Sequence, residues 1–167
     1  MLDALIGRYV RHLNQRLMSF SASAGTAELP APDPDKRYLL YLHVPFCVVL
    51  CPFCSFHRVE FREDRATRYF EALQEEIRRV TAMGYRFGEV YIGGGTPTVL
   101  PDALAKTISV VAGSHDLSAV SVETNPQDLD IRNMRLLKEN GVTRLSVGVQ
   151  SFDDALLREM ERYDKYG

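Results

Sequence analysis

The sequence predicts an α/β protein that forms the N-terminal part of a (β/α) partial TIM barrel with parallel strands. Two observations lead to this fold class. From residue 37 onward, apolar segments of strand length alternate with amphipathic segments of helix length, which is typical of parallel βαβ units. Only four such units can be counted, too few to close a barrel, whereas an open sheet would leave two unpaired edges.

Four strands and four helices are predicted from the apolar runs and the helical periodicity. The strands are predicted at 37–44, 88–95, 117–126 and 143–152, and the helices at 62–83, 101–112, 130–141 and 153–167. Gly84 supplies a stop for the first of these helices, and Pro101 suits the first turn of the second. Four successive βα units are therefore expected over residues 37–167.

Residues 1–36 are predicted to form a separate region. Apolar residues recur at helical spacing through residues 1–20, with arginines on the other face, and a Pro-rich linker follows. We expect an amphipathic helix that docks on the barrel region; an organelle-targeting or membrane-surface helix is the alternative. The sequence as a whole is expected to be a fragment, with the remaining strands and a C-terminal domain absent.

Composition excludes some function classes. A net charge of -2 argues against a nucleic-acid-binding surface, and no apolar run approaches the length of a membrane span. The chain has three cysteines, all within eight positions. Such crowding suits a metal better than a disulfide framework, so a reducing, cytoplasmic setting is expected.

The cysteine motif, "CVVLCPFC", places Cys47, Cys51 and Cys54 directly after the first predicted strand. Thiolates ligate zinc or iron–sulfur clusters. Three thiolates on a four-iron cluster leave one iron open for a substrate or cofactor. Zinc held by the same cysteines and His57 is the structural alternative, and unligated thiols are a third.

Polar or glycine-rich features follow all four predicted strands. They are the cysteine loop, the segment "GGGTPT" (93–98), Glu123 and Gln150. In parallel sheets, function gathers at the carboxyl ends of the strands. We therefore expect these four features to share one site.

The segments "YLHVPFCVVLCPFCSF", "GGGTPT" and "SVGVQSF" together resemble the radical S-adenosylmethionine (SAM) enzymes. They are most similar to the branch of oxygen-independent coproporphyrinogen III oxidase and its haem-chaperone relatives, from about Arg37 to the end. The resemblance implies a [4Fe-4S] cluster on Cys47, Cys51 and Cys54, with SAM bound to the open iron.

The resemblance also implies SAM contacts at further positions. They are Tyr41, Phe53, Gly94, Gly95, Thr96, Glu123, Gln150 and Arg162. Of these, Gln150 and Arg162 match positions that contact a second SAM in the coproporphyrinogen branch. Simple loop packing is the alternative role for Phe53, and a solvated surface pair with Glu159 and Glu161 is the alternative for Arg162.

The function implied is that of a radical SAM oxidoreductase. Cleavage of SAM would yield a 5′-deoxyadenosyl radical that abstracts hydrogen from a tetrapyrrole or similar substrate, with a reductant such as flavodoxin or ferredoxin. Residues 1–40 lack the "PRYTSYP"-type segment of coproporphyrinogen oxidases. A haem chaperone, an anaerobic haem-degrading enzyme or a radical methyltransferase on the same scaffold therefore stays open. A zinc-stabilised structural domain is the remaining alternative.

Overall fold

The computed structural model describes residues 9, 12–13 and 29–162 of the 167-residue chain. Ala31–Gly167 forms one compact unit. Apart from residues 9, 12 and 13, the predicted N-terminal helix lies outside the described residues, and so do the first half of the linker and the last residues of the predicted fourth helix. The division of the chain into regions 1–36 and 37–167 stays a prediction.

Four strands and four helices alternate as predicted, and two further strands of two residues each, which were not predicted, precede the first helix. The strands are β1 (Tyr38–Val44), β2 (Phe46–Cys47), β3 (Val59–Glu60), β4 (Phe87–Gly94), β5 (Ala119–Thr124) and β6 (Arg144–Val147). The α-helices are α1 (Glu63–Ala82), α2 (Pro101–Ala112), α3 (Ile131–Glu139) and α4 (Asp154–Glu159). Single turns of 3-10 helix follow β4 and β5, at Pro97–Val99 and Pro126–Asp128.

The main sheet has four parallel strands in the order β1-β4-β5-β6. Val44 pairs with Gly94 at one end of the ladder, and Thr124 pairs with Val147. The carboxyl ends of all four strands therefore meet at one edge, which confirms the α/β class and the parallel sheet.

The two faces of the sheet differ in polarity. One face packs against the helices, and α2 contacts both α1 and α3. The core between them contains Leu42, Val44, Phe70, Ile77, Ile92, Leu104, Ile108, Val120, Val122 and Leu137. The residues that alternate with these core residues along each strand, such as Tyr41, Tyr91 and Glu123, face away from the helices. Tyr41 is half exposed. The exposed face therefore carries the polar side chains.

The fourth unit is shorter than predicted. β6 ends at Val147 rather than residue 152, and Gln150 has a φ of 70°, a left-handed conformation that interrupts an extended strand. The last helix was predicted at 153–167, yet α4 ends at Glu159. There the amide of Arg162 donates to Leu157 O, and Glu161 (φ 52°) occupies the left-handed position, as in a Schellman motif.

A small parallel ladder of β2 and β3 joins the two ends of the cysteine loop. Phe46 pairs with Val59 and Cys47 with Glu60. The amides of Val59 and Phe61 donate to Pro45 O at 2.7 Å and Cys47 O at 2.8 Å. The loop is therefore fixed at both ends, beside the carboxyl edge of the main sheet.

No helix among residues 29–162 has both the length and the apolar composition that crossing a membrane would require.

Candidate functional site

A pocket of about 330 Å³ lies at the carboxyl edge of the sheet. We call it the cysteine pocket. It is lined by Cys47, Val49, Cys51, Phe53, Cys54, Ser55, Phe56, Arg58, Gly94, Gly95, Thr96, Glu123, Thr124, Asn125, Ser146, Val147, Gly148, Gln150 and Arg162. The four strand-end features that the sequence predicts to share a site thus line one pocket.

The three cysteines are free thiols on one wall of this pocket. Cys47 and Cys51 are buried and Cys54 is half-buried. The amide of Cys54 donates to Cys51 O at 3.2 Å, which makes a tight turn between the last two thiols. Burial raises the pKa of the Cys47 thiol, while the hydrogen bond from Thr96 opposes that rise. A metal that bound Cys47 would favour its thiolate.

The glycine turn after β4 leaves no room for side chains. Gly94 has a φ of 119°, a conformation that favours glycine. A Cβ on Gly95 would lie 2.7 Å from Phe46 O and 2.9 Å from Cys47 Sγ. The backbone of this turn therefore approaches the cysteine loop directly, and the amide of Thr96 donates to Phe46 O at 2.7 Å.

Glu123 is held by two donors at the floor of the pocket. Its Oε1 accepts a hydrogen bond from the Tyr91 hydroxyl at 2.6 Å, and its Oε2 accepts one from the Gly94 amide at 3.1 Å. The pKa of Tyr91 is raised, chiefly by this hydrogen bond to the carboxylate. The carboxylate is thus fixed in orientation, and its SAM contact stays a prediction.

Arg162 is not a solvated surface residue. It is buried (4% exposed) and donates to Asn125 Oδ1 at 3.0 Å and to the Gly148 carbonyl. Its Nη1 also lies 3.3 Å from Cys51 Sγ. The structure therefore brings Arg162 and Gln150 into the same pocket as the cysteines, and their second-SAM role stays a prediction.

The two predicted aromatic contacts differ in position. Phe53 lines the pocket and is 45% exposed. Tyr41 does not line it: its hydroxyl hydrogen-bonds His43 Nδ1 at 3.0 Å, and His43 Nε2 donates to His57 O at 3.0 Å. Burial, reinforced by Glu123, raises the pKa of Tyr41. Tyr41 is therefore outside the cysteine pocket, and its contact with SAM stays a prediction.

The ligand set of the zinc alternative is not brought together in the part of the chain that the structure describes. Among the described residues, no three His, Cys, Asp or Glu side chains are arranged to hold one metal ion. His57, the fourth ligand of the zinc alternative, does not line the pocket. A single zinc needs all its ligands within about 2.3 Å of one point, whereas a four-iron cluster takes each thiolate on a different iron. The three thiols line one pocket, and their role as cluster ligands stays a prediction.

Arg58 adds a positive charge to the wall of the cysteine pocket. Its Nη2 donates to the Cys51 carbonyl, while its buried Nε has no hydrogen-bond partner. Arg58 lines the pocket, and its positive charge favours the Cys47 thiolate. The same charge would favour a negatively charged cluster in this position.

No role was predicted for Asn125, which the structure places between two predicted site residues, Thr96 and Arg162. Its Nδ2 donates to Thr96 Oγ1 at 2.8 Å, and its Oδ1 accepts from Arg162. The sequence feature that could have identified Asn125 is its position directly after β5, because residues at strand ends were expected to line the site. At this strand end, however, only Glu123 was predicted to do so. The partners of Asn125 are 29 and 37 residues away along the chain.

Comparison with solved structures finds the same architecture. Coproporphyrinogen III oxidase (HemN) from Escherichia coli, a radical SAM enzyme, superposes with a TM-score of 0.68 at 29% identity. The superposition covers 78% of this chain and 32% of that one. The predicted partial barrel therefore resembles this part of HemN.

Curated relatives match over the same region. Heme chaperone HemW of Bacillus subtilis is 39% identical over 132 residues, which is 75% of this chain and 35% of that protein. Oxygen-independent coproporphyrinogen III oxidase of Cereibacter sphaeroides is 38% identical over 135 residues, 76% of this chain and 30% of that protein. The chain spans about a third of the length of these relatives.

The model of the radical SAM superfamily matches residues 41–166, which is most of the sequence. That stretch contains all three cysteines and every strand end that lines the pocket. The chain therefore belongs to the radical SAM superfamily, with similarity to its HemN and HemW proteins.

Proposed function

We propose that this chain carries the cofactor site of a radical SAM enzyme of the oxygen-independent coproporphyrinogen III oxidase-like group. The observation that carries the proposal is the cysteine pocket, which combines three thiols, a glycine turn and a fixed carboxylate. A tetrapyrrole is the proposed substrate, because the relatives are named for coproporphyrinogen oxidation and haem.

Cys47, Cys51 and Cys54 would hold a [4Fe-4S] cluster. The positive charges of Arg58 and Arg162 beside Cys51 would offset the negative charge of the thiolates. When bound, such a cluster would supply the one-electron reduction that cleaves SAM to a 5′-deoxyadenosyl radical, the hydrogen-abstracting species of the proposed reaction. A small flavin or iron–sulfur protein, such as flavodoxin or ferredoxin, would supply that electron.

Residues at the ends of β4 and β5 would bind SAM. Gly94 and Gly95 line the pocket, and the absence of a Cβ at Gly95 lets this turn lie against Cys47, so SAM bound at the turn would be next to the thiols. Glu123 would accept hydrogen bonds from the ammonium or ribose hydroxyls of SAM. Tyr91 and the Gly94 amide keep that carboxylate oriented, so less side-chain freedom is lost when SAM binds.

The cluster is tested by anaerobic reconstitution of the 167-residue chain with iron and sulfide. We expect about four irons and four sulfides per chain and the absorption of a [4Fe-4S] centre. Zinc uptake without iron would support the zinc-stabilised structural domain and overturn the proposal. Methionine and 5′-deoxyadenosine formed from SAM under reducing conditions would support an active radical enzyme.

A haem chaperone is the second candidate, because HemW of Bacillus subtilis is 39% identical to this chain. The two candidates differ in what they do with tetrapyrroles. Stoichiometric retention of added haem, without consumption of SAM, would favour the chaperone. SAM cleavage that rises when coproporphyrinogen III is added would favour the oxidase-like enzyme.

A further inference from the structure

Asn125 links the glycine turn to the arginine at the end of α4. It follows β5 directly, and both ends of its side-chain amide are engaged inside the cysteine pocket. Its Nδ2 lies 2.8 Å from Thr96 Oγ1, and its Oδ1 lies 3.0 Å from Arg162 Nη2.

The chemistry of the partners fixes the orientation of this amide. A guanidinium can only donate hydrogen bonds, so the atom of Asn125 that faces Arg162 must be the oxygen. The NH2 group must then face Thr96 and donate to its hydroxyl oxygen. No other orientation of Asn125 satisfies both contacts.

This orientation determines where the Thr96 hydroxyl hydrogen points. A threonine hydroxyl has one hydrogen to donate. Because its oxygen accepts from Asn125, that hydrogen remains available for Cys47 Sγ, 3.6 Å away. On the other side, Arg162 Nη1 donates to Cys51 Sγ at 3.3 Å. One asparagine thus supports hydrogen bonds to two cysteine sulfurs.

We propose that Asn125 is a positioning residue that directs the Thr96 hydroxyl hydrogen toward Cys47 and holds Arg162 against Cys51. This inference rests on the proposed function, since its effect is on a cluster bound by these cysteines. Hydrogen bonds to the sulfurs stabilise the more negative, reduced cluster, and they are among the factors that set its reduction potential. Asn125 therefore raises the potential of the cluster without touching it.

The first test measures the midpoint potential of the reconstituted chain by EPR-monitored redox titration, without SAM. Asn125→Ala removes both contacts and adds no charge, so we expect a shift to a more negative potential. The matched control is Asn140→Ala, which removes an asparagine that bonds Leu136 O and Ser109, outside the pocket. We expect the control to keep the wild-type potential.

The second test separates two effects on the midpoint potential: the direction of the Thr96 hydroxyl hydrogen and the negative charge that a substitution adds. Asn125→Asp keeps an acceptor for Arg162 but would accept the Thr96 hydrogen and turn it away from Cys47. We expect its negative shift to be larger in the wild-type background than in a Thr96→Val background, where no hydroxyl remains. The negative charge of the aspartate contributes equally to the shift in the two backgrounds, so the difference between the shifts reports on the Thr96 hydroxyl.

The outcomes distinguish this inference from the proposed function. Equal shifts of Asn125→Asp in the two backgrounds, or a wild-type potential in Asn125→Ala, would overturn the role of Asn125 and leave the cluster assignment standing. Failure of the unmodified chain to take up a [4Fe-4S] cluster would overturn both. Iron content per chain, measured for each variant, shows whether its potential reports on a complete cluster.

Discussion

Arg162 and Cys51 are separated by 111 residues in the sequence, and the Arg162 Nη1 lies 3.3 Å from the Cys51 sulfur. The contact connects the end of the last described helix to the loop after the first strand. It depends on the left-handed conformation of Glu161, which turns the chain back toward the pocket.

We predict that Cys51→Ala loses the cluster. Removing one of three protein ligands leaves a second iron without a thiolate, so most of the iron should be lost on gel filtration after reconstitution. Ser55→Ala, a nearby substitution in the same pocket, should retain the wild-type iron content. Full cluster content in the Cys51 variant would remove that residue from the ligand set.

We predict that Gly95→Ala destabilises the fold and impairs cluster assembly. The new Cβ would lie 2.7 Å from Phe46 O and 2.8 Å from the Pro45 carbonyl carbon, and neither backbone atom can rotate away. We expect a loss of about 1–3 kcal/mol in the free energy of unfolding, as for other overpacked sites. Urea denaturation and iron analysis measure the two effects.

Gly141→Ala is the control for the Gly95 substitution. A Cβ at Gly141 (φ 86°) meets nothing within 4 Å, so only the left-handed conformation is penalised, by about 1 kcal/mol. This variant should assemble the cluster normally. Equal iron loss in both variants would show that instability, rather than crowding at the pocket, prevents assembly.

We predict that Gln150→Gly leaves the cluster intact and weakens SAM binding. The φ of 70° at Gln150 suits glycine, so the fold should not lose stability. Loss of one side-chain hydrogen bond to SAM would raise the dissociation constant by up to about tenfold. Isothermal titration of the reconstituted chain with SAM measures this. Unchanged SAM affinity would remove Gln150 from the proposed contacts.

We predict that His115 makes the stability of the fold pH-dependent. Burial lowers its pKa, and in the neutral form its Nδ1 accepts from the Phe87 amide at 3.4 Å. With Nδ1 occupied as an acceptor, Nε2 carries the hydrogen and donates to Thr81 Oγ1 at 3.0 Å. The unfolded chain therefore binds this proton at a higher pH than the folded chain does. The stability is present above the ordinary histidine pKa of about 6.5 and is lost as the pH falls below it.

The measurement is the urea midpoint from about pH 7.5 to about pH 5, for the wild type and His115→Gln. The wild type should lose more stability over this range than the variant, because glutamine does not titrate. Parallel curves for the two proteins would show that other groups cause the pH dependence.

Burial patterns explain which parts of the fold could be predicted. The apolar periodicity of α1, with Phe70 and Ile77 buried, and the apolar strands reflect packing on the sheet, which the local sequence encodes directly. The strand-end rule then predicted that Glu123, Gln150 and the cysteine loop line one pocket. Both inferences use only local pattern and the geometry common to parallel sheets.

Features that depend on individual hydrogen bonds or on one residue's backbone conformation were not predictable. The end of α4 rests on a non-glycine residue in the left-handed conformation, Glu161, for which the sequence offers no signal. The link through Asn125 joins three separate βα units. The position of Tyr41 outside the pocket likewise follows from its hydrogen bond to His43.

The ladder between β2 and β3 has a consequence for how the cofactor is replaced. Because its hydrogen bonds connect Pro45 and Cys47 to Val59 and Phe61, the loop entropy of bringing the cysteines near the sheet is lost on folding, before any iron arrives. Oxidative loss of iron should then leave a folded, refillable apoprotein. We would then expect the chain to take up iron again after oxidative damage without first unfolding.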